Sequence, residues 1–159
     1  MRTYTVTDSP LGAVTLTGED GVLSGVYLQK RRSALGIRQD ADFHDATRQL
    51  AEYFSGERTA FDLPTVAYGN NLQRRVWSAL SEIPYGETRS YGEVAEDLGL
   101  RHVVRAVGAA IGQNPLLIVV PCHRVIGADG KLTGYAGGLE RKQQLLDLER
   151  PAAVAGRLF

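Results

Sequence analysis

The sequence predicts an α+β protein in two parts, a small antiparallel sheet with one helix followed by a mostly helical region. Three observations support this fold class. Short β-branched segments with turn signals fill the first 30 residues, helical spacing of apolar residues dominates after residue 70, and Gly69-Asn70-Asn71 separates the two patterns. We therefore predict an N-terminal α/β domain over residues 1–69 and a second domain over residues 70–159.

Three strands are predicted at the start of the chain. They cover 3–7, 13–17 and 22–28, which are rich in β-branched residues and are separated by turns that contain glycine. The charged segment 29–42 is predicted to be a loop. Phe61-Asp62-Leu63-Pro64 is predicted to be a final edge strand.

Apolar residues at helical spacing predict five helices. Ser90 and Glu93 form a capping box at the start of the third helix. The third and fourth helices are joined by a short turn and form a helix-turn-helix candidate, although such pairs are common. A hairpin is also predicted between 125–126 and 131–132. The five predicted helices cover 43–54, 72–83, 91–98, 102–112 and 139–149.

The fourth predicted helix has an unusual composition. Gly108 and Gly112 each cost a helix about 1 kcal/mol relative to alanine. Arg105 is the only long side chain over residues 105–112. Small residues allow a backbone to approach another surface closely. The pattern leaves two interpretations equally open, namely packing against a neighbouring helix and insertion into a nucleic-acid groove.

The only cysteine, Cys122, lies in Pro121-Cys122-His123-Arg124, after an apolar run over 116–120 that is predicted to be a buried strand. A thiolate is the nucleophilic form of cysteine, so a reactive cysteine needs a group that removes its proton or stabilises the anion. Isolated cysteines are mostly small buried hydrophobic residues. The adjacent imidazole and guanidinium favour a nucleophile here.

Composition restricts the class of protein. One cysteine cannot form an internal disulfide or a thiolate-rich zinc site. The formal net charge of zero argues against a strongly basic nucleic-acid binder. No apolar run approaches the roughly 20 residues of a membrane helix, and no signal-peptide pattern opens the chain. These features predict a soluble cytoplasmic protein that does not associate with membranes.

Several motifs, taken in order along the chain, resemble the O6-alkylguanine-DNA alkyltransferase family. The resemblance is dense over residues 70–150, and the N-terminal strands and helix fit that family's variable first domain. It implies a ribonuclease H-like N-terminal domain and a winged helix-turn-helix C-terminal domain. The motifs are Ile83–Thr88, Ser90-Tyr91, Arg105–Gly108, Asn114-Pro115, Pro121–Val125 and Gly134–Gly138.

The resemblance implies repair of DNA by direct reversal of damage. The partner is double-stranded DNA that contains O6-alkylguanine, with O4-alkylthymine as a second candidate. The alkylated base is flipped out of the duplex, and Cys122 takes the alkyl group in one irreversible displacement that needs no cofactor or metal. No obligate protein partner is evident, and cooperative assembly on DNA is left open. The alternatives are a non-catalytic module that recognises alkylated bases and, less well supported, a cysteine hydrolase.

The resemblance also implies roles for individual side chains. His123 takes the cysteine proton through a water molecule, and Glu149 orients that histidine, as in a nucleophile–base–orienter triad. Tyr91 donates to the leaving guanine, and Lys142 lies near the thiolate. On the residues alone, Glu149 could equally be an exposed helix-end acid. The alternatives for Tyr91 and Lys142 are a surface tyrosine at a helix start and a solvated helix charge.

The same resemblance implies a DNA-contacting surface and a base pocket. Arg105 enters the base stack where the damaged base has left, since a guanidinium can stack and hydrogen-bond together. Asn114 ties the helix-turn-helix to the cysteine segment, and Arg124 braces the site. The further DNA-contacting residues implied are Ser90, Tyr91, Ala106 and Gly108. The pocket and its supports comprise Asn114, Arg124, Val125, Tyr135, Ala136 and Gly137.

Three features depart from the family pattern. Ala136 stands where serine or glycine is usual, Leu72 where phenylalanine is common, and Arg101–Val104 replaces the usual proline-and-alanine entry to the recognition helix. The cysteine and histidine ligands of the zinc site found in some relatives are absent. These departures affect the expected DNA contacts rather than the expected chemistry.

Overall fold

The N-terminal part is a four-stranded sheet followed by a helix. The computed structural model describes residues 1–29 and 36–150. The strands are β1 (Arg2–Ser9), β2 (Gly12–Glu19), β3 (Val22–Tyr27) and β4 (Ile37–Arg38), and the helix is α1 (His44–Phe54). The sheet order is β3-β2-β1-β4, with β1–β2 and β2–β3 antiparallel, so the three predicted strands are confirmed.

The segment predicted to be a loop over 29–42 contains a short strand and a short helix. β4 pairs in parallel with β1, and the 3-10 helix Asp40–Phe43 follows it. Both are held by polar contacts, because Thr3 donates to Asp42 and the Gln39 amide donates to the Tyr4 carbonyl. An exposed two-residue strand carries no apolar alternation, which explains why the sequence pattern missed it. Residues 30–35 of the predicted loop lie outside the described residues.

The predicted edge strand over 61–64 is wrong. The chain there is extended but reaches β3 only at Leu23, whose amide donates to the Pro64 carbonyl and whose carbonyl accepts from the Val66 amide. Proline has no N–H and cannot donate to a strand ladder, so pairing does not extend back through Pro64.

The C-terminal part contains four helices, which are α2 (Asn71–Leu80), α3 (Tyr91–Asp97), α4 (Val104–Gly112) and α5 (Leu139–Leu148). The predicted capping box is confirmed, since Ser90 accepts from the Glu93 amide and the Glu93 carboxylate accepts from the Ser90 amide. The helix pair α3–α4 forms as predicted, with the 3-10 helix Arg101–Val103 before α4. Trp77 of α2 donates to the Ala110 carbonyl at 2.8 Å and fixes α2 against α4. The α+β fold class is therefore confirmed.

The apolar run over 116–120 is not the predicted strand. Its backbone forms tight turns, in which Val119 donates to the Leu117 carbonyl and Val120 to the Leu116 carbonyl. Ile118 has a φ of 71°, which is rare and strained for a β-branched residue. The predicted hairpin is also wrong, because β6 (Val125–Ile126) pairs in parallel with β5 (Arg89–Ser90) and 131–132 is not a strand.

One apolar core joins the two parts of the described chain. It includes Leu16 and Val26 from the sheet, Tyr53 from α1, and Val107 and Leu145 from the C-terminal helices, all fully buried. Across residues 1–29 and 36–150, none of the helices has the length and apolar character needed to cross a membrane.

Two glycine substitutions test this packing. A Cβ at Gly69 would lie 2.6 Å from the Trp77 ring, whereas a Cβ at Gly112 would meet nothing within 4 Å. We expect Gly69→Ala to lower the free energy of unfolding by about 1–3 kcal/mol through overpacking. Gly112→Ala should leave it unchanged or raise it by up to about 1 kcal/mol. Urea denaturation measures both, and equal effects of the two substitutions would contradict this packing.

Candidate active site

The candidate nucleophile lies at the start of a short buried helix. Cys122, His123 and Arg124 form a 3-10 turn after Pro121, and all three side chains are buried. The Cys122 side chain is 5% exposed, and that of His123 is fully enclosed. The turn places the sulfur, the imidazole and the guanidinium in one enclosed region, between α5 and the segment that follows α4.

Glu149, which caps the C-terminal end of α5, is the acceptor that holds this turn. One carboxylate oxygen lies 2.7 Å from His123 Nε2 and also accepts from Tyr53 Oη and from Arg124 Nη2 at 3.0 Å. The other oxygen accepts from Arg124 Nε at 2.7 Å. Arg124 Nη1 donates to the Ile83 carbonyl at 2.6 Å. The carboxylate is 2% exposed, so the alternative of a solvated helix-end acid is wrong.

These contacts fix the protonation state of the acid and the base. Burial alone would raise the pKa of Glu149, but the His123 and Arg124 hydrogen bonds outweigh it and lower the pKa to about 2. An ionised carboxylate only accepts, so His123 must present Nε2–H to it, and Nδ1 carries the free lone pair. Desolvation lowers the pKa of His123, although Glu149 opposes this shift. His123 is therefore a neutral base at neutral pH.

The buried cysteine is a thiol in the free protein. Burial raises the pKa of Cys122 to about 11, against the opposing effects of an Asn114 hydrogen bond and the Lys142 charge. Asn114 also donates to the Val120 carbonyl at 2.8 Å and accepts from the Leu116 amide at 3.0 Å. It therefore ties the end of α4 to the turns that lead to the cysteine.

The side chains of Tyr91, Thr133 and Lys142 form a chain of contacts near the cysteine. Thr133 Oγ1 donates to Tyr91 Oη at 2.8 Å, and Lys142 Nζ donates to the Thr133 carbonyl at 2.9 Å. Lys142 Nζ also lies 6.0 Å from the centre of the Tyr91 ring. Lys142 is fully buried, so the alternative of a solvated helix charge is wrong. Desolvation lowers the pKa of Lys142, and the Cys122 sulfur opposes the shift.

The glycine-rich loop before α5 covers the same region. Tyr135 Oη is buried, and desolvation together with the nearby Cys122 raises the pKa of this phenol. Gly137 is buried, and a Cβ there would lie 2.7 Å from both Leu28 and the Tyr135 ring. Ala136 is exposed on the loop. Among the buried side-chain atoms of the described chain, His123 Nδ1 and Tyr135 Oη are the two without a protein hydrogen-bond partner.

The exposed side of α4 carries small residues, Val104 and one arginine. Arg105 and Ala106 are exposed, and a Cβ at Gly108 would meet only Tyr91, at 3.7 Å. The two glycines therefore do not serve tight packing against a neighbouring helix, the first of the two interpretations left open by the sequence. Ser90 is half-buried, with its hydroxyl engaged in the helix cap. Val125 is buried in β6.

Sequence reasoning missed two residues at this site. Tyr53 lies among the apolar residues that predict the helix over 43–54, and its hydroxyl contact lies 96 positions away in sequence. Thr133 lies in a loop with no periodic pattern. A hydroxyl on an otherwise apolar helix face was the one available signal for Tyr53, since a buried tyrosine usually finds a hydrogen-bond partner.

The site offers no cluster of metal ligands. Within 1–29 and 36–150, no group of three or more His, Cys, Asp or Glu side chains is placed to hold a metal ion.

Replacing Glu149 by glutamine tests the central contact. Glu149→Gln removes the partner of a buried Arg124, and we expect the free energy of unfolding at neutral pH to fall by about 3–5 kcal/mol. The pKa of Glu149 in the folded protein, about 2, lies below its ordinary value of 4.5. The wild type therefore loses its stability advantage over the variant as the pH falls from 4.5 towards 2. The free energies of unfolding of the wild type and of Glu149→Gln should therefore converge at low pH.

Asp147→Asn is the matched control, because Asp147 is an exposed acid on the same helix. It should change the free energy of unfolding by at most about 1 kcal/mol. Urea denaturation at neutral pH and near pH 3 measures all three proteins. A wild-type advantage over Glu149→Gln that stays constant between these pH values would contradict the assigned ionisation.

Comparison with known proteins places both parts of the chain in one family. The model described as "6-O-methylguanine DNA methyltransferase, ribonuclease-like domain" matches residues 3–67. The model described as "6-O-methylguanine DNA methyltransferase, DNA binding domain" matches residues 71–151. The ribonuclease-like and DNA-binding domains implied by the resemblance are thereby confirmed.

Individual relatives agree over nearly the whole length. The chain is 54% identical over 154 residues to a methylated-DNA–protein-cysteine methyltransferase of Mycolicibacterium paratuberculosis, covering 94% of this chain and 93% of the relative. A Methanosarcina acetivorans protein of the same name is 46% identical over 151 residues, covering 92% and 97%. The crystal structure of Mycobacterium tuberculosis O6-methylguanine methyltransferase has a TM-score of 0.88 at 46% identity, covering 99% of each chain. A structure of Mycobacterium tuberculosis OGT in complex with DNA has the same TM-score at 49% identity, covering 96% and 97%. The chain belongs to the 6-O-methylguanine DNA methyltransferase family.

Proposed function

We propose that this protein repairs DNA by moving the alkyl group of O6-alkylguanine onto its own Cys122, once per molecule. The observation that carries the proposal is the Cys122–His123–Glu149 arrangement, in which an ionised acid holds a neutral base next to a buried thiol. The family assignment and the DNA complex of a relative support the same function.

The reaction is a single displacement at the alkyl carbon. As His123 accepts the Cys122 proton through a water molecule, the sulfur attacks the carbon, and an S–C bond forms while the C–O6 bond breaks. The electron pair of the broken bond stays with the purine, which gains a proton and leaves as guanine. Tyr91 is suited to supply that proton or a hydrogen bond, so the leaving base does not depart as an anion.

Enclosure of the thiol explains how the step is controlled. Both ionised products of proton transfer, the thiolate and the imidazolium, are disfavoured by burial in the free protein. Glu149 stabilises the imidazolium through Nε2, and Lys142 stabilises the thiolate. The proton therefore leaves the sulfur as the bond to carbon forms, and the resting thiol is protected from other electrophiles.

The exposed face of α4 is proposed to enter the minor groove of the damaged duplex. Its small residues allow close approach, and Arg105 is its only long side chain to reach the vacated stack. Base extrusion costs a few kcal/mol, which the inserted guanidinium offsets in part by stacking. We place the protein in the cytoplasm, where a free thiol persists.

Transfer of the methyl group is measured directly by mass spectrometry. After incubation with a duplex that contains O6-methylguanine, the peptide with Cys122 should gain the mass of one methyl group in place of one hydrogen, and the duplex should contain guanine. Cys122→Ala should bind the damaged duplex and transfer nothing. Tight binding by the wild type with no methyl on that peptide would favour the non-catalytic recognition module instead.

Arg105→Ala tests the proposed stacking role. The rate of methyl transfer from a duplex should fall about tenfold or more, whereas transfer from a single-stranded oligonucleotide should change less, because no paired base has to be extruded. Arg105→Lys should not restore the rate, since an ammonium does not stack as a planar guanidinium does. Arg48→Ala on α1, another exposed arginine, is the control. Equal losses on both substrates would contradict the role.

A further inference from the structure

We propose that Thr133 is a positioning residue for transfer, which orients the Tyr91 hydroxyl so that its proton points to the leaving base. The inference rests on the proposed function. Thr133 Oγ1 donates a hydrogen bond to Tyr91 Oη at 2.8 Å, so the phenol oxygen is the acceptor. A phenol oxygen that accepts this hydrogen bond has its own proton free to donate elsewhere.

The threonine is itself held in place from two sides. Its carbonyl accepts from Lys142 Nζ at 2.9 Å on one side, and a turn that starts at Gly127 precedes it on the other. The Gly127 amide in turn donates to the Lys131 carbonyl at 2.9 Å, which closes the turn that leads into Thr133. The hydroxyl of Thr133 is therefore presented to Tyr91 by a fixed backbone rather than by a free loop.

Lys142 also lies close to the Tyr91 ring. Its ammonium lies 6.0 Å from the centre of the Tyr91 ring and donates to the Thr133 carbonyl. The Thr133 hydroxyl in turn donates to Tyr91 Oη. Hydrogen bonds in a chain polarise one another, so donation from Thr133 makes the Tyr91 O–H a stronger donor. Thr133 therefore contacts both Lys142 and Tyr91.

Thr133→Val removes the hydroxyl, keeps a similar side-chain shape and leaves the carbonyl that holds Lys142. Thr133 is exposed, so the fold should tolerate the substitution. In single-turnover experiments with saturating O6-methylguanine duplex, we expect the transfer rate to fall about threefold to tenfold, the range of one neutral hydrogen bond. The dissociation constant for the duplex should not change, and Thr133→Ser should restore the rate.

A double-mutant cycle identifies the route of the effect. On a Tyr91→Phe background, which has no phenol oxygen, Thr133→Val should cause no further loss of rate. An equal loss on both backgrounds, an effect confined to DNA affinity, or an unchanged rate in Thr133→Val would each overturn the assignment to Tyr91. Failure of the wild type to methylate Cys122 would instead overturn the proposed function, so the two failures are distinguishable.

Discussion

The carboxylate of Glu149 is the interaction on which the rest of this site depends. It collects hydrogen bonds from His123, Arg124 and Tyr53, and the last of these comes from the N-terminal domain. A buried charge is tolerated only when it is paired and fully hydrogen-bonded. The Tyr53 hydroxyl therefore adds a hydrogen bond from α1 to the His123 and Arg124 contacts that keep the acid ionised. The N-terminal domain is in this sense part of the active site.

The same carboxylate explains why a cysteine with a raised pKa can still be a nucleophile. Burial of Cys122 keeps the sulfur protonated, and burial of His123 keeps the imidazole neutral. Neither ion is favoured alone, but Glu149 and Lys142 are placed to stabilise the pair once it forms. Cys122 is thus activated only when an electrophilic alkyl carbon is present. This suits a protein whose nucleophile is consumed in one event.

Local chemistry was predictable from the sequence, and long-range polar contacts were not. The Ser90–Glu93 capping box and the helical stripes depend on neighbours within four residues, and they form as predicted. The turns before Cys122 were predicted to be a strand because the apolar pattern ignores Asn114, whose side-chain amide replaces a strand partner. The burial of Lys142 and the contact between Tyr53 and Glu149 depend on the tertiary fold, which periodicity does not encode.

The decisive measurement is the protonation state of His123 in the free protein. Nitrogen-15 NMR of labelled protein distinguishes the two neutral tautomers and the imidazolium of each histidine, and a His123→Gln spectrum assigns the signal. We expect a neutral ring with the proton on Nε2 and a free Nδ1, and we expect it to stay neutral at pH values below the ordinary pKa of 6.5. An imidazolium at neutral pH, or a neutral ring with the proton on Nδ1, would contradict this assignment, because in neither form does Nδ1 have a lone pair to accept the proton of Cys122.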